Sequence, residues 1–199
     1  MPKGFTEREK ALIRAKLLEK GRDLFATYGV KKTSVEDLTS AAGISKGAFY
    51  LFFDSKEELF FELLEQFEAD FKASLFRGAA RSETPPRQRV HALLKDALAL
   101  WKTNALFTHF DREDYEHLLR KLPEEKVAAH TQRDDMSAGE LIAEWARAGV
   151  AIDRDARLVS NLMRALFFLS LHEQEFDADI YPAVLDVLVG LVAGYLVAE

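Results

Sequence analysis

Residues 33–53 read TSVEDLTSAAGISKGAFYLFF, and they decide the fold. Thr33-Ser34-Val35-Glu36 has the form of a capping box, with the Thr33 hydroxyl accepting from an orphan N–H and Glu36 reaching back. Val35, Leu38 and Ala42 then share one helical face, and Ala41-Ala42-Gly43 ends that helix. Gly43 can take the left-handed conformation that a sharp turn needs. Small Ala41 and Ala42 let two helices cross at short range, and Ile44 plugs the turn into the core beneath. Ser45 caps a second short helix, Lys46 to about Phe52, with Phe49 and Phe53 on one face. Two short helices joined by a tight turn bearing glycine form a helix-turn-helix unit. Its second helix carries Lys46 and no acid, and Ala48 stands where the flanking helices place the Glu of a capping box. A carboxylate there would be repelled by phosphate, and helix N-terminal N–H groups are natural phosphate contacts.

Working outward, Ile13, Leu17, Gly21, Leu24 and Tyr28, widened by Leu18 and Phe25, mark the apolar face of a helix over about 7–28 that Gly29 stops. On the other side, Ser55-Lys56-Glu57-Glu58 is a second capping box. It opens a long helix through Leu59, Leu63, Phe67 and Phe71. Residues 78–86, GAARSETPP, have the composition of a linker. Helical segments are expected near 87–104, 111–121, 123–148, 154–173 and 181–197. Period-two strand patterns and internal repeats are missing. The expected fold class is all-α: a three-helix helix-turn-helix head, residues 1–54, on a larger C-terminal helical bundle, residues 55–199.

Composition narrows the function. With no cysteine in 199 residues, a disulfide framework, a thiol nucleophile and a Cys-ligated metal centre all drop out. The N-terminus MPKGFTEREK has no apolar core of signal-peptide length. The most apolar stretch, Ala183 to Ala198, is interrupted by Asp186, Gly190 and Gly194 and reads as a buried helix, not a membrane span. A cytoplasmic protein is the expectation, with no membrane partner. The formal net charge is −6, but residues 1–56 carry 11 Lys/Arg against 7 Asp/Glu, leaving the remainder at −10. A basic head on an acidic body suits a head that meets a polyanion.

The stretch LFATYGVKKTSVEDLTSAAGISKGAFYLFFDSKEELF, within Ile13 to Phe60, resembles the tetracycline-repressor (TetR) family of bacterial transcription regulators. The match rests on the spacing of Gly29, Thr33, Ala42-Gly43, Ser45-Lys46-Gly47, Tyr50, Phe53 and Ser55-Lys56-Glu57-Glu58-Leu59. It covers about a quarter of the chain. The resemblance implies a homodimer with one double-stranded-DNA-binding head per subunit, a small hydrophobic effector inside the C-terminal bundle, and repression relieved by that effector. It implies Thr33 and Lys56 on phosphates at the edges of the major groove. Ser45, Lys46, Gly47, Ala48, Tyr50 and Leu51 would form the start and exposed face of the recognition helix. Relatives commonly carry a polar or basic residue at position 51 and Thr or Ser at 48. Leu51 and Ala48 therefore shift readout toward thymine methyls and DNA shape.

In the body, Phe67, Phe71, Trp101, Phe107, Phe110, Trp145, Met163 and Phe167 are the candidate effector pocket, since small-molecule sites are mostly apolar. Leu158, Leu162 and Leu166 on the penultimate helix, with Leu188, Gly190, Leu191 and Gly194 on the last, are the candidate dimer interface. Relatives form a four-helix bundle there across the dimer, and the two glycines permit close backbone approach. No catalytic constellation is visible. Asp111, Glu113, Asp114 and Glu116 read as a solvated helix start, and the serines lack a nucleophile-elbow context. His109 and His117 are eight apart, which is not an i, i+4 ligand pair, so no metal and no cofactor is expected. An all-α enzyme or carrier for a hydrophobic small molecule is the rival from another class, and a DNA-binding protein without an effector is the third.

Overall fold

The computed structural model describes residues 5–79 and 84–197. Helices follow one another as α1 (Glu7–Lys32), α2 (Val35–Ala42), α3 (Lys46–Phe49), α4 (Lys56–Ala79), α5 (Pro86–Thr103), α6 (Arg112–Lys121), α7 (Glu124–Arg147), α8 (Ala156–Leu171) and α9 (Tyr181–Leu196). No strand occurs among the described residues, so the all-α fold class holds. Of the linker expected at 78–86, residues 80–83 lie outside the described residues.

The chain divides into two compact units. The first takes in 5–67 together with Asn104–Leu122, and the second holds Glu68–Thr103 and the chain from Pro123 onward. Aromatic packing explains why the 104–122 segment joins the head. The Phe110 ring stacks on Phe60 at 5.3 Å between centroids, and Phe107 meets Phe67 edge-on at 4.9 Å. Phe60 in turn meets Phe25 of α1 edge-on at 5.3 Å. Burying such rings is worth more than burying any short aliphatic side chain, and edge-on pairs add to it. The helix carrying Phe60 and the helix carrying Phe25 are thereby fixed to each other, with Leu17, Leu38, Phe49, Leu59 and Leu63 fully buried around them.

Gly29 carries the turn out of α1. Its φ of 77° breaks the helix inside Glu7–Lys32, and a Cβ there would stand 3.2 Å from His109 Cβ. Both the backbone angle and the close neighbour favour glycine. The second unit has one continuous apolar core, in which Val90 and Leu94 of α5, Leu141 and Trp145 of α7, Val159 and Leu166 of α8, and Val189, Ala193 and Leu196 of α9 take part. Asp155 opens α8 by accepting from the Arg157 and Leu158 amides.

No helix among the described residues is long and apolar enough to cross a membrane.

Candidate nucleic-acid interface

The turn between α2 and α3 is built from backbone hydrogen bonds. The Ile44 N–H donates to Thr39 O at 3.0 Å and the Gly43 N–H to Ser40 O at 3.2 Å. That is the Schellman pairing, and Gly43 holds its left-handed residue at φ 70°, ψ 38°. The capping box of α2 lies one residue later than the sequence suggests. Ser34 accepts from the Asp37 amide, and Asp37 Oδ2 accepts from the Ser34 amide at 2.9 Å and its hydroxyl at 2.7 Å. Glu36, the expected partner, is released to the surface.

Thr33 instead ends α1. It is 1% exposed, and its hydroxyl donates to Gly29 O at 2.8 Å. The buried hydroxyl has its proton committed inside the head. Lys56, the other expected phosphate contact, also has partners inside the head. Its ammonium donates to Val30 O at 2.7 Å, Lys31 O at 3.0 Å and Thr33 O at 2.7 Å. An ammonium has three protons, and these three carbonyls occupy its donors at the end of α1, where the helix dipole is negative. Burial pushes the Lys56 ammonium below the usual lysine range, against the pull of Glu57, Asp114 and Asp37.

The recognition element is shorter than expected. Helical geometry covers Lys46–Phe49 only, and tight turns follow, with Leu51 N–H donating to Ala48 O at 3.1 Å and Phe52 N–H to Phe49 O at 2.9 Å. Ser45 caps it by accepting from the Ala48 amide at 3.2 Å. Ala48 is 8% exposed and belongs to the inner face beside Phe49, so it does not line the outer surface as the sequence implies. Its methyl is small enough to let α3 lie close to its neighbours. The outer face consists of Ser45, Lys46, Gly47, Tyr50 and Leu51, all exposed. Tyr50 is 48% and Leu51 68% exposed. Large apolar side chains turned to water beside a lysine are the notable feature of this surface.

Sequence reasoning missed the partner of Lys46. Its ammonium pairs with the Glu36 carboxylate freed by the displaced capping box. The pairing lowers the Glu36 carboxyl and raises the Lys46 ammonium, chiefly through their shared hydrogen bond. The ten-residue separation between them crosses the turn, so no helical i, i+4 rule points to it. A second missed group is Arg14, whose guanidinium sits 4.7 Å over the Phe53 ring and pairs with Glu62.

The proposed effector residues do not come together as one set. Phe67, Phe107 and Phe110 belong to the first unit, where Phe107 and Phe110 are buried and Phe67 meets Phe107 edge-on. Phe71, Trp101, Trp145, Met163 and Phe167 lie in the second unit. There Trp145 is buried in the core, while Trp101 and Phe167 meet edge-on at 4.5 Å and stay half-buried.

The dimer candidates also separate. Leu166 is buried, and Leu162 and Leu188 pack against the same core. A Cβ on Gly190 would meet the His91 ring at 3.8 Å, and one on Gly194 the Arg87 guanidinium at 2.8 Å. Within the subunit, these glycines admit α5 side chains. Leu158 and Leu191 are exposed, joined by Val187 and Tyr195.

A family model described as bacterial regulatory proteins, tetR family, matches residues 17–63. The chain is 33% identical over 78 residues to the HTH-type transcriptional repressor DhaR of Mycobacterium sp. (strain GP1), covering 39% of each chain. It therefore spans about two fifths of that relative's length. It is 25% identical over 182 residues to the HTH-type transcriptional regulator YhgD of Bacillus subtilis, covering 91% of this chain and 93% of that one. Among solved structures, a TetR-family transcriptional regulator from Pectobacterium atrosepticum superposes with a TM-score of 0.73 at 21% identity, over 98% of this chain and 99% of the other.

Proposed function

We propose, from the premise that the chain belongs to the tetR family of bacterial regulatory proteins, that it is a cytoplasmic repressor that binds a near-palindromic operator as a homodimer. The observation that carries it is the exposed surface of Ser45, Lys46, Gly47, Tyr50 and Leu51 on a helix-turn-helix. The second element of such a unit enters the major groove with its first residues at the base edges. Tyr50 and Leu51 offer apolar contact to thymine methyls, and Lys46 exchanges Glu36 for a phosphate. Selection from a random duplex library, followed by fluorescence anisotropy at two salt concentrations, tests it. Affinity is expected to fall steeply with salt as counterions are released. Tyr50→Ala is expected to weaken binding by about 1–3 kcal/mol, the scale of a base contact. Its melting temperature should stay nearly unchanged, because the ring is half in water. Binding indifferent to salt, or absent from every selected duplex, defeats the proposal.

Val187, Leu191 and Tyr195 recur every four residues along α9 and are all exposed, as is Leu158 of α8. A stripe of this kind needs a cover, and a second copy of the chain is the cover we assign. Leu191→Glu is expected to turn the dimer into a monomer in sedimentation velocity, and an unchanged dimer moves the interface elsewhere. Repression is relieved by a small hydrophobic effector bound in the second unit beside Phe71, Trp101, Met163 and Phe167, the half-buried members that this unit holds of the set proposed from sequence. The effector releases DNA only if it binds the DNA-incompetent state more tightly, and operator must then weaken effector binding by the same factor.

A further inference from the structure

The second unit holds a side-chain cluster with no part in reading DNA. Glu68 and Lys72 stand four residues apart on α4, and His130 and Asp134 four apart on α7. His130 Nε2 lies 3.7 Å from Glu68 Oε1 and 3.8 Å from Asp134 Oδ2. One ligand atom from each of the three residues lies within 4.8 Å of the others. We infer that Glu68, His130 and Asp134 bind one divalent transition-metal ion of the zinc and cobalt class.

The spacing is the first reason. Both carboxylate oxygens stand beyond hydrogen-bond reach of Nε2. A tetrahedral ion at the usual zinc–ligand lengths holds its donors about 3.4 Å apart. The two distances to Nε2 exceed that by a few tenths of an ångström, and rotamer adjustment of the two carboxylates brings all three donors onto one ion. The donor set is the second reason. One imidazole with two carboxylates suits zinc or cobalt and leaves the fourth position to water, whereas calcium and magnesium favour oxygen alone. Third, Lys72 Nζ donates to Asp134 Oδ1 at 3.0 Å, which orients the carboxylate from behind and leaves Oδ2 toward the ion. Arg164 NH2, 3.6 Å from the same Oδ2, is the cation the metal displaces. The positive charge of Lys72 and Arg164 weakens the site relative to one with anions alone, and protonation of the imidazole competes with the metal.

The test uses the full chain, stripped with a chelator and titrated with Co²⁺ while the visible d–d absorption of tetrahedral cobalt is read. One equivalent is expected to give a saturable band, and Zn²⁺ is expected to displace it. His130→Gln and Asp134→Asn are each expected to abolish the band, and Glu68→Gln to weaken binding at least tenfold. His91→Gln removes an imidazole outside the cluster, retains all three ligands and is expected to keep the band. The wild-type chain alone settles a failure: no saturable band overturns the site whatever the variants do. A band that survives in both His130→Gln and Asp134→Asn overturns it equally.

Discussion

Phe49→Ala is expected to abolish operator binding and to melt the head well below the wild type, while the dimer persists. The recognition element has only four helical residues, Lys46–Phe49, far too few to persist on their own in water. Tertiary anchoring must supply its order, and Phe49 is the anchor. Its ring is fully buried, 6.0 Å from Phe53 and edge-on to Tyr50 at 5.4 Å. Truncating a buried Phe to Ala costs about 3–5 kcal/mol, transfer and cavity terms together. Whole domains hold only about 5–15 kcal/mol. Amide hydrogen exchange over residues 44–53 should accelerate by several orders of magnitude. Exchange in α5 and α9 should not change, since Phe49 and those helices belong to different units. Phe49→Leu, which keeps most of the volume, should retain much of the binding. A normal melting profile in Phe49→Ala would mean that α3 is held by something other than this ring.

The contrast with Tyr50 shows where sequence reasoning reaches. Apolar periodicity puts Phe49 and Phe53 on one face, the family resemblance puts Tyr50 on the outer one, and the head's helix order follows from glycines and caps that are local in sequence. What stayed hidden depends on contacts across the chain. A capping box starting at Thr33 fits the pattern on paper, and whether it forms turns on whether Thr33 is needed to close α1 through Gly29 O. That one-residue displacement frees Glu36 for Lys46. Residues 104–122 carry no head motif, and their place in the first unit rests on Phe107 and Phe110 reaching Phe60 and Phe67. For the same reason a list of large aromatic residues could not be sorted into core and pocket. His130 and Asp134 stand four residues apart on α7. A search for paired histidines passes over them, and Glu68 joins them only through folding.

Lys56→Ala is expected to destabilise the head, and this outcome separates the two roles open to the residue. A lysine on a DNA phosphate is dispensable to the fold, and its loss lowers the salt slope of binding by about one. Here the ammonium holds three carbonyls at the end of α1, two of them at 2.7 Å. Hydrogen bonds to a charged group contribute about 1.5–3 kcal/mol net, and the same order of loss is expected for the variant. Water can reach part of the vacated space, since Lys56 is half-buried, which keeps the loss from being larger. Lys56→Met preserves the aliphatic stem and removes the donors. It should lose nearly as much stability as Ala if the carbonyls are what matter. Thermal denaturation of all three proteins, with salt titrations at a temperature where each head is folded, gives both readings from one set of samples. A lowered melting temperature with an unchanged salt slope supports the role inside the head. A normal melting temperature with a slope reduced by about one returns Lys56 to the phosphate.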